Sequence, residues 1–386
     1  MTTTPKKKSK LDLLSESIAQ LQATVQQNHD RLTIPEASQQ RTLSEILAMV
    51  REEAMQKERT RRMAKVGRDG KINERDTSTY RAYNTHWKQV EQVLGQRVIH
   101  TITAHEITVI IKEAALRAIA NSDVRRAKKE ALGIVTTPSN GSRAHNMAMD
   151  AFRAIWSKAL EVGAVKKDPM ESIKRERINK SPRHGLTTYQ IDDLFTVVST
   201  GGTDPLLDHT ILWTLSEAAC RRGGIIHLSL GDINRERQTI RLFEKGDTVF
   251  HQPITLALTD RLLALAEQRG STKPSDPVFR QLPTARTSAF RAITGKVFDE
   301  LFARLKDQVS WSKEVDVSAH WIRHTTLTWV ERSFGGAVAQ KYARHQGGNV
   351  TAGYTESDVA EVAHALEVLT GTLHPLAQAD PRFAIA

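Results

Sequence analysis

Apolar residues at Leu11, Leu14, Ile18, Leu21, Val25 and, past a polar Asn28, Leu32 recur at alternating spacings of three and four. That is the seam of a coiled coil or the buried stripe of an amphipathic helix. At about three heptads the seam is marginal for an independent coiled coil, so self-association and packing on the protein's own body are both open. Pro35 ends it. A second helical pattern, Leu43, Ile46, Leu47 and Val50, runs into the cations Lys57, Arg59, Arg61, Arg62, Lys65 and Arg68 before Gly67 and Gly70 break it. Residues 1–70 are therefore expected to be a helical, basic extension, its seam a coiled coil or a stripe packed on the protein's own body and its basic run an arm along an anionic surface or a solvated hinge.

From Thr77 to Leu94 the residues Tyr80, Tyr83, Trp87, Val90 and Val93 fall at helical spacing behind Thr and Ser capping candidates. Further helices are expected at Ala104–Ala120 and Ser142–Val162, the second after a turn marked by Pro138, Asn140 and Gly141. No alternating strand pattern interrupts residues 72–176, which read as an all-helical domain. Residues 177–185, with Lys180, Pro182 and Arg183, follow the basic run Lys174 to Arg177 and read as a linker.

The next domain, 186–370, opens where Thr187 caps a helix bearing Ile191, Leu194 and Phe195, and another helix precedes Cys220. Thr239–Phe243 and Phe250–Leu256 are β-prone and flank Glu244-Lys245-Gly246-Asp247, which predicts a hairpin with Lys245 at its turn. Beyond Thr259 the pattern is helical to about Thr370, and 371–386 is a tail that docks or stays loose. The fold class is mainly α with a small antiparallel β-sheet.

Composition adds little to the architecture but narrows the partners. Of 386 residues 39% are hydrophobic and 26% charged, and no apolar run reaches the length of a membrane span. The basic start, Met1 to Lys10, lacks the apolar stretch of a secretory signal, so a cytoplasmic location is expected. The single cysteine, Cys220, suits a reducing compartment and reads as a buried filler in preference to a catalytic thiol. Lys and Arg outnumber Asp and Glu by 55 to 44, a net charge of +11, which favours an anionic partner without naming its chemistry.

Chemistry is concentrated in 186–370. His320 and Arg323, three residues apart in His320-Trp321-Ile322-Arg323-His324-Thr325, share one helix face. Downstream, His345 and Tyr354 flank a glycine-rich stretch, and upstream Arg221 stands near a helix boundary with Asp232-Ile233 eleven residues on. Alone, each is an ordinary polar residue. Tyr342 is a rival to Tyr354, but its place three residues before His345 predicts burial in the preceding helix.

Taken in order, Arg221, Lys245, the His320–Thr325 box, His345 and Tyr354 resemble the tyrosine recombinase, or lambda-type phage integrase, family. The likeness is strong from Leu186 to about Leu369, while Thr77 to Glu171 resembles the family's helical, SAM-like core-binding domain in pattern alone. Two positions depart from the family: Gly224 where an acidic residue is common, and Arg344 where a glycine commonly precedes the histidine. Neither removes a group that does chemistry.

The resemblance implies a mixed α/β catalytic domain and a catalytic set of Arg221, Lys245, His320, Arg323, His345 and Tyr354, with Tyr354 as nucleophile. It implies cleavage and rejoining of double-stranded DNA through a 3′-phosphotyrosine, with no cofactor and no metal. It further implies a homo-tetramer working through a Holliday junction, with an accessory DNA-bending or directionality factor and no membrane. A mobile-element integrase, bacterial or phage-encoded and nucleoid-associated, is favoured by the N-terminal extension over a chromosome- or plasmid-dimer resolvase. An inactive architectural or regulatory DNA-binding protein is the non-enzymatic alternative. Arg81, Lys88, Arg143, Asn146, Arg153 and Lys158 are the candidate DNA contacts of the first domain.

Overall fold

The computed structural model describes residues 40–63, 78–131, 133, 136, 138–178, 184–243, 249–285, 287–344 and 358–384. The seam from Leu11 to Leu32 lies outside them. The chain divides into two compact units, one of Met1–Arg125 with Pro138–Asn179, the other of Arg126–Thr137 with Lys180–Ala386.

The first unit is helical: α1 (Leu43–Met63), α2 (Ser78–Leu94), α3 (Ala104–Glu130) and α4 (Ser142–Glu161). Helix α3 outruns the expected Ala104–Ala120 by ten residues. Trp87, Ile107, Phe152 and Trp156 fill the core, and the Trp87 indole N–H donates to the Ala151 carbonyl at 2.8 Å. Tyr80 and Tyr83 meet Trp87 edge-on at 5.9 Å each. Gly141 takes φ 75°, and a Cβ there would lie 3.0 Å from the Ala115 carbonyl oxygen, so the turn before α4 needs glycine.

Helix α1 corrects the domain boundary. Leu43, Ile46 and Leu47 are wholly buried in the core with Trp87 and Phe152, and Arg51 pairs with Glu91 on α2. The apolar stripe of residues 43–50 is thus part of the helical unit rather than of an extension ending at residue 70. The basic run after it drew attention away from a stripe that needs a partner to bury it.

The second unit holds α5 (Thr188–Thr200), α6 (Pro205–Ala218), α7 (Arg222–Ile226), β1 (Ile233–Asn234), β2 (Thr239–Phe243), β3 (Val249–Pro253) and α8 (Leu256–Gln268). It continues through β4 (Arg280–Gln281), β5 (Arg291–Ala292), α9 (Gly295–Gln308), α10 (Ser310–Glu314), α11 (Ala319–Tyr342), α12 (Val359–Thr370) and α13 (Pro375–Gln378). Thr187 and Gln190 close a capping box at the start of α5. The first sheet is antiparallel in the order β1-β2-β3, with Ile240 opposite Gln252.

The short β4–β5 pair interrupts the stretch expected to be helical from Thr259 to Thr370. Gly335, at φ 82°, kinks α11. After Gly371 the tail docks on α12: the Phe383 ring stacks on His364 at 4.4 Å. Arg382 adds ion pairs to Asp358 and Asp380.

Candidate active site

The site grows from the end of α6. Ala219 leaves the helix in the left-handed region, φ 42° and ψ 38°, which turns the chain so that Cys220 points into the core and Arg221 comes out at the surface as the cap of α7. On the neighbouring α11, His320 lies in the first turn and Arg323 in the next. His320 is exposed, and one turn deeper Arg323 is 3% exposed.

The three side chains line one cleft of about 460 Å³, walled by Cys220, Phe298, Phe302 and Val317, with Arg222, Asp299 and Lys306 also on its lining. All three of those charges are paired: Arg222 with Asp299 at 3.2 Å and Lys306 with Asp316 at 2.9 Å.

Arg323 is fixed by backbone. Its guanidinium donates to the Ala219 carbonyl and, at 2.7 Å, to the Ala343 carbonyl. Burial, then the nearby charges of Arg344 and Arg221, lower its pKa well below the usual arginine value. Arg221 is lowered by burial and then by Arg344. Among the described residues no carboxylate offsets Arg323. Guanidiniums held this close concentrate positive charge that suits an anion, and forked donors match two oxygens of one phosphate.

Two rivals for the chemistry fall away. Burial raises the Cys220 thiol to about 11, so it is protonated at neutral pH and is a filler, as its sequence context predicts. Tyr342 is fully buried, its hydroxyl donates to the Glu217 carbonyl, and burial pushes its pKa upward.

The structure brings Arg221, His320 and Arg323 together; Lys245, His345 and Tyr354 lie outside the described residues. Sequence reasoning missed Arg344 as part of the cluster. It stood out only as a departure beside His345, and no periodicity signalled that its side chain is buried.

Of the candidate DNA contacts, Arg81 and Lys88 are exposed and, seven residues apart on α2, share one stripe. Arg143 is exposed and Arg153 half-buried on α4. Asn146 and Lys158 do not fit that role. Asn146 is buried and spent on Glu176, donating to its carbonyl at 2.8 Å and accepting its N–H at 2.9 Å. Lys158 is shared between Glu53 and Glu161. Each is held by partners within its own unit.

Residues 185–361 match a family model described as the phage integrase family. The fold is similar to that of the Tn1549 transposon integrase in complex with circular intermediate DNA. That match has 16% identity and a TM-score of 0.51, covering 82% of this chain and 98% of the other. It is also similar to a lambda integrase in a tetramer bound to a Holliday junction, at 13% identity and TM-score 0.53, covering 92% of this chain and 89% of the other. At such identities the likeness is one of fold. A search of curated proteins found no match.

Proposed function

Residues 185–361 form a domain of the phage integrase family, that of the tyrosine recombinases, and on that premise we propose that the chain cuts and rejoins DNA strands with Tyr354 as nucleophile. The observation that carries the proposal is the convergence of Arg221, His320 and Arg323 on one cleft, where buried guanidiniums lie close enough to depress one another.

Attack on a phosphodiester builds charge on its two non-bridging oxygens, and Arg221 and Arg323 supply forked donors for it. The Tyr354 phenol, with an unperturbed pKa of about 10, gives up its proton as its oxygen bonds to phosphorus, and His320 assists that transfer. The bond to the 5′ oxygen breaks, Lys245 protonates the departing oxygen, and His345 holds the phosphate. The product is a 3′-phosphotyrosine and a free 5′-hydroxyl. One phosphoester bond has replaced another, so a 5′-hydroxyl from a second strand reverses the step with no ATP and no metal required by the balance. Exchange between two sites fits a homo-tetramer on a Holliday junction, in the cytoplasm, serving integration or excision of a mobile element.

A duplex nicked beside the cleavage point releases a short leaving strand and traps the adduct. The wild-type protein is expected to become covalently joined to such DNA and Tyr354→Phe is not. An adduct formed by Tyr354→Phe would remove Tyr354 from its role, and none from the wild type would remove the enzymatic reading.

A further inference from the structure

Arg344 takes no part in the chemistry proposed above, yet its placement is costly in two ways. Its backbone sits at φ 58°, where glycine is favoured and other side chains are strained. The residue is 3% exposed, and burying a charge carries a heavy desolvation cost.

What this placement achieves is a clamp. The guanidinium donates to the carbonyls of Ala218 and Ala219 at 2.8 Å each, to that of Tyr342 at 3.1 Å and to the Gln252 side-chain oxygen on β3. The end of α6, the sheet and the end of α11 are thus joined at one side chain. The Ala219 carbonyl also accepts from Arg323. One peptide oxygen, two residues before Arg221 and itself in a left-handed turn, is therefore held by two guanidiniums.

We infer that Arg344 is a positioning residue for the phosphate cleft: it fixes the Ala218–Ala219 turn that sets Arg221 and Arg323, and it stands as a third positive charge behind them. The inference rests on the reading of that cleft as the phosphate site. The clamped Ala219 carbonyl lies two residues before Arg221, so the restraint it carries reaches Arg221 through the backbone turn. The charge of Arg344 also bears on both Arg323 and Arg221, each of which it makes harder to keep charged until an anion arrives.

The test uses the full chain with Arg344→Met, Arg344→Lys and Arg344→Gly. Adduct formation on the nicked duplex by Arg344→Met is expected to slow about 100-fold, the scale of a small misplacement of catalytic groups, while DNA affinity stays at the wild-type level. Arg344→Lys, which keeps the charge, should regain part of the rate. A duplex with a neutral methylphosphonate at the cleavage point should show a smaller loss, because less charge is left to stabilise. Arg344→Gly suits the backbone and decides the matter if the methionine variant fails to fold.

Cleavage by Arg344→Met at the wild-type rate would overturn the inference, as would equal losses on phosphate and methylphosphonate. Titration of the DNA-free protein with inorganic sulfate needs no cleavage, so it separates this inference from the recombinase reading. Binding about tenfold weaker in Arg344→Met, the order of one charge-assisted hydrogen bond lost from a misplaced Arg221 or Arg323, supports the clamp even if the wild type forms no adduct. Unchanged sulfate binding overturns it.

Discussion

At the scale of single residues, Arg323 joins the fold to the chemistry, because the same guanidinium that faces the cleft also ties the end of α6 to the end of α11. Arg323→Ala is expected to lower adduct formation by about 100- to 1000-fold, the range for losing a donor to developing negative charge. Stranding the carbonyl of Ala343, while that of Ala219 keeps its bond from Arg344, costs about 1–3 kcal/mol of stability. Nicked-duplex kinetics and urea unfolding check the two effects separately.

Glu106 gives a pH-dependent counterpart in the first unit. The Thr103 backbone N–H, then Arg97 and the Thr103 hydroxyl, hold its carboxyl down to about 2. A carboxylate depressed in the folded state stabilises the fold above its unfolded value and loses that contribution as it is protonated. Wild type should therefore exceed Glu106→Gln in urea midpoint at pH 7, and the gap should close as pH falls from about 4.5 toward about 2. A gap independent of pH would show that the hydrogen bonds to Glu106 do not favour its charged form.

At the scale of elements, α1 is the segment whose role changes most between sequence and structure. Leu47 is wholly buried among the helices of the first unit, so Leu47→Ala should cost about 2–5 kcal/mol, the usual range for such a cavity. Chemical denaturation followed at the Trp87 and Trp156 fluorescence reads it, and a loss near zero would return α1 to a detached extension. The start of α11 matters in a different way. Its helical spacing alone carries His320 to the cleft mouth and Arg323 to its floor, while Thr325 on the same helix accepts the Leu186 N–H at 3.0 Å. One element thus places two site residues and anchors the start of its own unit.

For the whole molecule the net charge of +11 and the exposed Arg81, Lys88 and Arg143 predict that DNA is held largely through its phosphates. The logarithm of the DNA association constant should therefore fall steeply and linearly with the logarithm of salt concentration, measured by fluorescence anisotropy. A flat response would mean that charge is not what holds the duplex. Among the described residues no helix is long and apolar enough to cross a membrane.

Much of this protein was legible in its sequence because periodicity and spacing are local. The 3.6-residue stripes gave α2, α4 and α5, and the Thr187 cap and the alternating run of β2 were read where they stand. The order of Arg221, His320 and Arg323 pointed to one site before any geometry was known. The two-residue strands β4 and β5 were invisible because two residues carry no period.

What only the tertiary structure decided is which polar groups are already taken. Asn146 and Lys158 looked available on a helix surface, but their partners Glu176 and Glu53 lie 30 and 105 residues away. Arg344 looked like a surface departure beside His345 until the Ala219 carbonyl, 125 residues earlier, was found under its guanidinium. Hydrogen bonds and burial depend on distances through space, which a linear pattern does not contain. The sequence alone therefore determined the helices and the ordered chemical groups, while the folded chain decided which of those groups face the cleft and which hold it in shape.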